Sequence, residues 1–414
     1  MNITHVPRRF VKSHWGGTET VILETCKRLM RMGHTPHILC PNALAKESQE
    51  VIEGVQILRE PYFYPYFGLS KESKGLLDLK GGNLFSFSIM KALIKEPKLD
   101  LIHLHTAKRL GGIGRYVAQK RKIPYVLSLH GGLFDVPAEE AATWTEPTRN
   151  ALEWGKLLGW WVGSRSVPDD AAAIICVGEE EKVQTQSRYP NKKVVHLPNG
   201  VDPERFSQGD GKAFRHKFGI PSDACVVLTM GRIDPQKNQL FLLQALPELM
   251  NINPKTHCLI IGPITNQEYN DRILDFIEKR GLKNVVTVIA GLDAGSRALT
   301  DAFHAADIFA LPSVHEPFGI VILEAWASGL PVIASRVGGI PSFVVPGQDG
   351  LLFESNKEES FVEAFRIMID HPETASKMAE AGRKKAASQY SWDSVTSRLV
   401  KIYEEALSEN PFRK

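Results

Sequence analysis

Cysteine is scarce in this 414-residue chain, and the five present (Cys26, Cys40, Cys176, Cys225, Cys258) are an odd number with no pair at Cys-x-x-Cys spacing. That excludes a disulfide-stapled scaffold or a zinc ribbon and points to a reducing compartment. Long apolar runs are missing too. Stretches such as Leu157–Val162, between Lys156 and Arg165, fall far short of the ~18 residues a spanning helix needs. The opening MNITHVPRRF has no apolar centre of a secretory signal. A cytoplasmic protein is expected, attached at most peripherally to the inner membrane face. An excess of one charge is also absent: 50 Lys and Arg face 47 Asp and Glu, a net +3. No global field recruits nucleic acid, and no such partner is expected. With 43% hydrophobic and 23% charged residues, the composition excludes a disordered or fibrous chain.

What is present is alternation. Ile3–Val6 reads as a strand and Thr18–Arg31 as a helix stopped by Gly33; His37–Cys40, Leu101–His105, Tyr125–Leu129, Ile174–Val177 and Val194–Leu197 continue the strands. The pattern restarts with Val226–Met230, His257–Ile261, Val285–Ala290, Ile308–Leu311, Pro331–Ala334 and Gly350–Phe353. Short β-branched runs alternating with amphipathic segments imply parallel sheets with helices on both faces. Two such runs predict two doubly wound α/β domains, 1–205 and 206–390, joined in the turn-rich stretch after Pro198. Residues 391–414 are expected to form a helix capped by Ser391, with Trp392, Val395, Leu399, Ile402, Tyr403 and Leu407 near one face, crossing back to the first domain. Pro61–Asn83 reads as a long irregular loop. Residues 1–205 are net +6 and the remainder net −3, which suits either ordinary solvated faces or an anionic acceptor or membrane surface.

Ligands of open α/β sheets bind beyond the carboxyl ends of the strands. After the first strand come Gly16-Gly17-Thr18-Glu19, a glycine pair that lets backbone N–H groups approach an anion at a helix start. After Tyr125–Leu129 come His130-Gly131-Gly132, where the histidine is placed to bond a substrate or to serve structure alone. His103 and His105 share a face, but no carboxylate or thiol nearby completes a metal set. Beyond Met230, Arg232 and Lys237 can together reach a pyrophosphate, as a bidentate fork and a point charge, or form a solvated pair. Beyond Leu311, Pro317 holds Glu316 in the loop, while N–H groups near Phe318 and Gly319 are left unpaired before the apolar helix Ile320–Ala327. Glu324 on that helix needs a donor such as a pair of sugar hydroxyls if it is not exposed.

Taken as an ordered series, these residues resemble glycosyltransferase family 4, the retaining group 1 glycosyl transferases of GT-B fold. The series runs Gly16-Gly17-Thr18-Glu19, His130-Gly131, Asn199-Gly200-Val201-Asp202 with Phe206, and Gly231-Arg232 with Lys237. It continues through Glu316-Pro317-Phe318-Gly319 to Glu324, then Gly329-Leu330-Pro331, Gly338-Gly339-Ile340-Pro341, Gly347, Asp349-Gly350-Leu351-Leu352 and Tyr390-Ser391-Trp392. Ser342 stands where many relatives carry Glu, and Asn238 where some have Gly.

The resemblance implies two Rossmann-like domains facing a central cleft and transfer of a sugar from a nucleoside-diphosphate sugar, UDP or GDP, to an acceptor hydroxyl with retained configuration. Arg232 and Lys237 would hold the diphosphate, Glu324 the ribose, and Glu316 with the backbone at Phe318, Gly319 and Ile320 the sugar. Gly16 and Gly17 would contact phosphate or sugar, His130 would orient the transferred sugar, and Gly262 and Leu292 would line the base pocket. Glu316, His130, Arg232 and Lys237 are the catalytic candidates. The acceptor would be a sugar, a lipid-linked compound or a small molecule. No Asp-x-Asp motif occurs, and no metal or cofactor is expected. A helix around Lys156–Arg165, with Trp144, Trp154, Trp160 and Trp161, is expected to pack on the first sheet, with an interfacial membrane helix as the alternative. A dehydrogenase would need its glycine fingerprint after the first strand, yet Gly112-Ile113-Gly114 sits later and lacks the third glycine. A nucleotide-sugar epimerase and a non-enzymatic binding protein of the same architecture are the other rivals.

Overall fold

The computed structural model describes residues 1–131, 146–149, 151–293 and 295–413. Gly132 and Trp144, both named above, lie outside these. Two compact units emerge, one of Met1–Pro198 with the tail from Val395, the other of Asn199–Ser394.

The first unit contains β1 (Asn2–Val6), β2 (Thr35–Pro41), β3 (Gln49–Ile52), β4 (Val55–Glu60), β5 (Tyr66–Phe67), β6 (Leu101–Leu104), β7 (Tyr125–Leu129), β8 (Leu152–Glu153), β9 (Ala173–Cys176) and β10 (Val194–His196). Its main sheet has eight strands in the order β10-β9-β7-β6-β1-β2-β4-β3. Neighbours are parallel except for the β3–β4 edge hairpin. Strands β6, β7 and β9 are buried along their whole length, as strands covered on both faces must be. Alternation sends Ile102, Leu104 and Leu127 into a core with the helices Phe87–Lys95 and Arg109–Arg121. Ile3, Leu101, Val126 and Ile175 go to the opposite face, where Val395, Leu399, Ile402, Tyr403 and Ala406 cover them.

The second unit contains β11 (Cys225–Met230), β12 (Thr256–Ile261), β13 (Val286–Ile289), β14 (Ile308–Leu311), β15 (Val332–Ser335) and β16 (Leu351–Phe353). They form a sheet in the order β13-β12-β11-β14-β15-β16, parallel at every pair. Counted from its own first strand, this is the 3-2-1-4-5-6 order of a dinucleotide-type fold, and the order reverses between β11 and β14. Both units are therefore Rossmann-like, as a GT-B chain requires.

Several local expectations need correction. The stretch 61–83 is not irregular throughout: it holds β5 and the helix Lys71–Lys80, whose N-cap Ser70 accepts from the Ser73 N–H at 3.0 Å. Its prolines and glycines masked a helix of only ten residues. The β3–β4 hairpin went unread because its edge strand has only four residues, half of them polar and all but Ile52 at least partly exposed. The helix Lys156–Trp161 packs only in part, Leu158 against the core of the first unit while Leu157 and Trp160 are 76% and 84% exposed. Gly112 and Gly114 lie inside the helix Arg109–Arg121, where a Cβ would strike Val162 at 2.6 Å and Leu104 at 2.4 Å. They allow close helix packing and are no phosphate loop. Residues Asn199–Arg205 group with the second unit, because the Val201 N–H donates to Tyr390 O at 2.8 Å and the Trp392 N–H to Val201 O at 3.0 Å.

Candidate active site

In the second unit, the loops after β11 and β14 flank the point where strand order reverses. The chain leaves β11 through Gly231, at φ +155°. Beside it, a Cβ on Gly262 at the end of β12 would lie 1.7 Å from Gly231 O. Backbone thus meets backbone, and only glycine fits there. The loop then turns at Asp234, whose carbonyl accepts the Lys237 N–H at 3.1 Å, and enters the helix Gln239–Ile252 through Asn238 in the left-handed region. Asn238 thus does what glycine would do.

The Lys237 ammonium donates to Glu316 Oε2. Glu316 follows β14 and is 6% exposed. Its loop is braced by the turn after β15: the Gly339 N–H donates to Glu316 O at 3.0 Å, and a Cβ on Gly338 would sit 2.2 Å from that oxygen. Ser342 closes the same turn, its hydroxyl donating to Gly339 O at 2.6 Å. Arg232 is placed differently. Its guanidinium, about half exposed, donates to Gln236 Oε1 at 2.8 Å and lies 3.4 Å from Asp234 Oδ2. The structure brings Lys237 and Glu316 into contact and leaves Arg232 beside them with partners of its own.

Gly319, at φ +94°, is the N-cap of the helix Ile320–Ala327, and Phe318 is buried against Phe343 with ring centroids 4.8 Å apart. These contacts fix the direction of the first helical turn, where unpaired N–H groups favour an anion or hydroxyl oxygen. Glu324 lies in the second turn. Burial pushes its carboxyl up to about 7, with Arg205 opposing the shift. Arg205 lies between Asp202 and Phe206 of the quoted series but was not singled out, because only the short helix Pro203–Phe206 brings it to Glu324. Gly262 and Leu292 stand at and just past the carboxyl ends of β12 and β13, and the Gly262 N–H donates to Ile289 O at 3.0 Å.

Gly16, Gly17 and His130 belong to the first unit. Gly16 is the N-cap of the helix Gly17–Arg31, and its N–H donates to Glu19 Oε2 at 3.1 Å. Its φ of −143° lies in the extended region and a Cβ would meet only that carboxylate, at 3.3 Å. The fold itself does not demand glycine at 16. His130 follows β7, with Nε2 2.8 Å from His105 Nδ1. His105 Nε2 in turn lies 3.1 Å from His5 Nδ1. The trio His5, His103 and His105 places ring nitrogens within 4.8 Å of one another, a wider set than the His103/His105 pair visible in sequence. Both nitrogens of His103 are taken, at 2.6 Å from the Tyr403 hydroxyl and 2.7 Å from the Ser128 hydroxyl. The His103 and His105 rings stack, with centroids 4.2 Å apart, so they do not converge edge-on as ligands would. His5 escaped sequence reading because a histidine inside a strand carries no spacing signal.

Comparison with known proteins accounts for both halves. The family described as glycosyl transferases group 1 matches residues 210–385, and glycosyltransferase family 4 matches residues 15–205. A D-inositol 3-phosphate glycosyltransferase of Stackebrandtia nassauensis is 29% identical over 408 residues, 95% of this chain and 87% of that protein. Among solved structures, sucrose-phosphate synthase from Thermosynechococcus elongatus superposes with a TM-score of 0.76 at 19% identity over 99% of each chain. HepE of Anabaena, in complex with UDP-glucose, does so with a TM-score of 0.70 at 18% identity over 98% of this chain and 99% of that one. With the two matched regions following one another along nearly the whole sequence, the chain belongs to glycosyltransferase family 4 and is a glycosyltransferase of GT-B fold.

Proposed function

We propose that the enzyme transfers a hexose from a nucleoside-diphosphate sugar, UDP- or GDP-linked, to an acceptor hydroxyl with retention of anomeric configuration and without a metal ion, in glycan, glycolipid or glycoconjugate synthesis. The observation that carries this reading is the Lys237–Glu316 pair at the reversal of strand order, a cation and a carboxylate delivered by the strands on either side. Departure of a nucleoside diphosphate concentrates negative charge on its terminal phosphate. Lys237 as a point charge and Arg232 as a fork stabilise that charge, the part a divalent cation takes elsewhere. When the diphosphate engages Lys237, Glu316 is released to accept from the sugar hydroxyls. The N–H groups at Phe318, Gly319 and Ile320 supply donors beside it. Glu324 accepts from the ribose diol and Gly262 and Leu292 border the base, while Gly16, Gly17 and His130 are the first unit's own candidates for binding phosphate and sugar. Retention then follows from attack on the face the leaving group departs from, through an oxocarbenium-like state.

The HepE complex with UDP-glucose and the inositol-phosphate relatives support a UDP-sugar donor and an acceptor bearing several hydroxyls. The test is a thermal-shift screen against UDP-, GDP- and ADP-sugars, since a bound nucleotide raises the melting temperature by mass action. Positive donors are then incubated with candidate acceptors in EDTA, and product configuration is read by NMR. Inverted product, turnover abolished by EDTA, or an epimerised donor without acceptor would each sink part of the reading.

A specific surface supports peripheral membrane contact. Phe67, Phe87, Leu152, Leu157 and Trp160 of the first unit are all more than half exposed. Trp154 stacks on Phe63 and Trp161 packs against Phe87, so the rings form a continuous layer. Lys156 and Arg165 flank it, the pattern of an interfacial anchor on anionic lipid. Flotation with phosphatidylglycerol vesicles should carry the enzyme upward, and Trp160→Ala with Leu157→Ala should leave it at the bottom. Equal behaviour of both proteins removes the membrane contact.

A further inference from the structure

Three parallel strands of the first unit end in histidines that bond in series. His5 on β1, His105 just past β6 and His130 just past β7 are linked Nδ1 to Nε2 at 3.1 Å and Nδ1 to Nε2 at 2.8 Å. The register explains the series: β1 and β6 pair His5 with His103, which places His105 one step further, and β6 pairs with β7 on its other side. His103 stands apart, held by Tyr403 and Ser128. At the inner end of the chain, His5 Nε2 is buried and has no hydrogen-bond partner among the described residues. Burial lowers all three rings, His5 to about 3 and His130 to about 4, so each is neutral near pH 7. The nearby His37 adds to the effect on His5.

A neutral imidazole has one N–H and one lone pair, so three rings in series have only two polarities. In one, each donates toward His5, and the terminal Nε2–H of His5 is an orphaned buried donor. In the other, each donates toward His130, and His5 Nε2 is a bare lone pair. An unpaired buried N–H costs more than an unpaired acceptor, so the second polarity is favoured. His105 then donates to His130 Nε2, and the His130 proton resides on Nδ1. Neutral histidine in water prefers the opposite tautomer, so the series reverses an ordinary preference.

We propose that His5 and His105 are positioning residues that hold His130 as the Nδ1–H tautomer, making it a hydrogen-bond donor to a sugar oxygen and unable to act as a base. This rests on the reading of His130 as the residue that orients the transferred sugar. It identifies what His130 prefers: a hydroxyl or ring oxygen with a free lone pair.

The experiment is two-bond proton–nitrogen correlation on the whole enzyme labelled with 15N-histidine, with His130→Asn assigning the signal. The expected result is a protonated Nδ1 and a bare Nε2 at His130; a protonated Nε2 overturns the proposal. His105→Leu removes the donor and should return His130 to the water-like tautomer, with turnover falling roughly tenfold and UDP affinity unchanged. His105→Asn, whose amide N–H can replace Nδ1, should restore both. Loss in the Asn variant equal to that in the Leu variant counts against the proposal. If His130→Asn turns over normally while the Nδ1–H signal is present, the sugar-orienting reading fails and the tautomer assignment stands.

Discussion

Lys237 and Arg232 sit five residues apart in one loop, but their surroundings assign them different burdens. Lys237 is nearly buried against Glu316, so Lys237→Ala leaves a buried carboxylate unpaired. A destabilisation of about 3 kcal/mol is expected by urea unfolding, with turnover falling roughly 10²-fold or more. Arg232 is half exposed and bonded sideways to Gln236. Arg232→Ala should therefore leave stability nearly unchanged and weaken donor binding, read as a higher KM. Unchanged kinetics in that variant would remove it from the diphosphate site. Glu324 supplies a pH signature. Its carboxyl is raised from an ordinary 4.5 to about 7, so the unfolded chain loses this proton before the folded one does. Its contribution to stability is full below about pH 4.5 and is lost as pH rises to about 7, a change on the order of 1–2 kcal/mol once its partial exposure is allowed for. The ionised form offers two charged acceptor oxygens to the ribose diol, whereas the protonated form keeps one neutral acceptor, so UDP affinity should weaken as pH falls below 7. Titration calorimetry from pH 5.5 to 8 checks this, and Glu324→Gln should flatten the profile.

At the scale of elements, the site is held by turns of one strand against turns of the next. Gly262 touches the Gly231 carbonyl, and Gly338 and Gly339 touch Glu316 and Pro317. Gly262→Ala must push the Arg232 loop aside, at about 1–3 kcal/mol. The expected readout is a lower Tm together with a higher KM for the donor; a lower Tm alone would mean that the loop does not bind it. Most of this architecture was legible in the sequence, because each parallel strand is a short buried run and each site residue lies within a few positions of a strand end. Tyr125–Leu129, Ile308–Leu311 and the helix Ile320–Ala327 are found with the bounds their residues suggest. The β3–β4 hairpin and the helix Lys71–Lys80 were not legible, since a four-residue, half-polar edge strand and a helix containing Gly75 give weak periodicity. Nor was the histidine series, which joins residues 25 and 100 positions apart through strand order alone.

At the scale of the whole molecule, the sequence is used out of order. The first sheet shares one of its two covers between the helix Gly17–Arg31 and the last twenty residues, where Val395, Leu399, Ile402, Tyr403 and Ala406 shield Ile3, Leu101, Val126 and Ile175. Removing residues 392–414 uncovers that face and withdraws roughly 10 kcal/mol of apolar burial, comparable with the whole net stability of a domain. Such a truncation should bind a hydrophobic dye and aggregate, while the intact chain does neither. A soluble, dye-silent truncation would show that the tail is dispensable. The uneven charge of the two halves, net +6 before residue 206 and net −3 after it, coincides with the unit that carries the exposed aromatic layer.

The position of that cover in the chain also sets a schedule. On the ribosome, the strands of the first sheet emerge early, but their shield is made only after the entire second unit has been translated. At about 5–20 residues per second, that interval is on the order of 10–40 s, during which the part of that face around Ile3, Leu101, Val126 and Ile175 is bare. The second unit, contiguous in sequence from Asn199 to Ser394, meets no such delay and can complete its core first. The amino-terminal half is thus the last to finish folding, and a chaperone acting on this chain would find its client surface there.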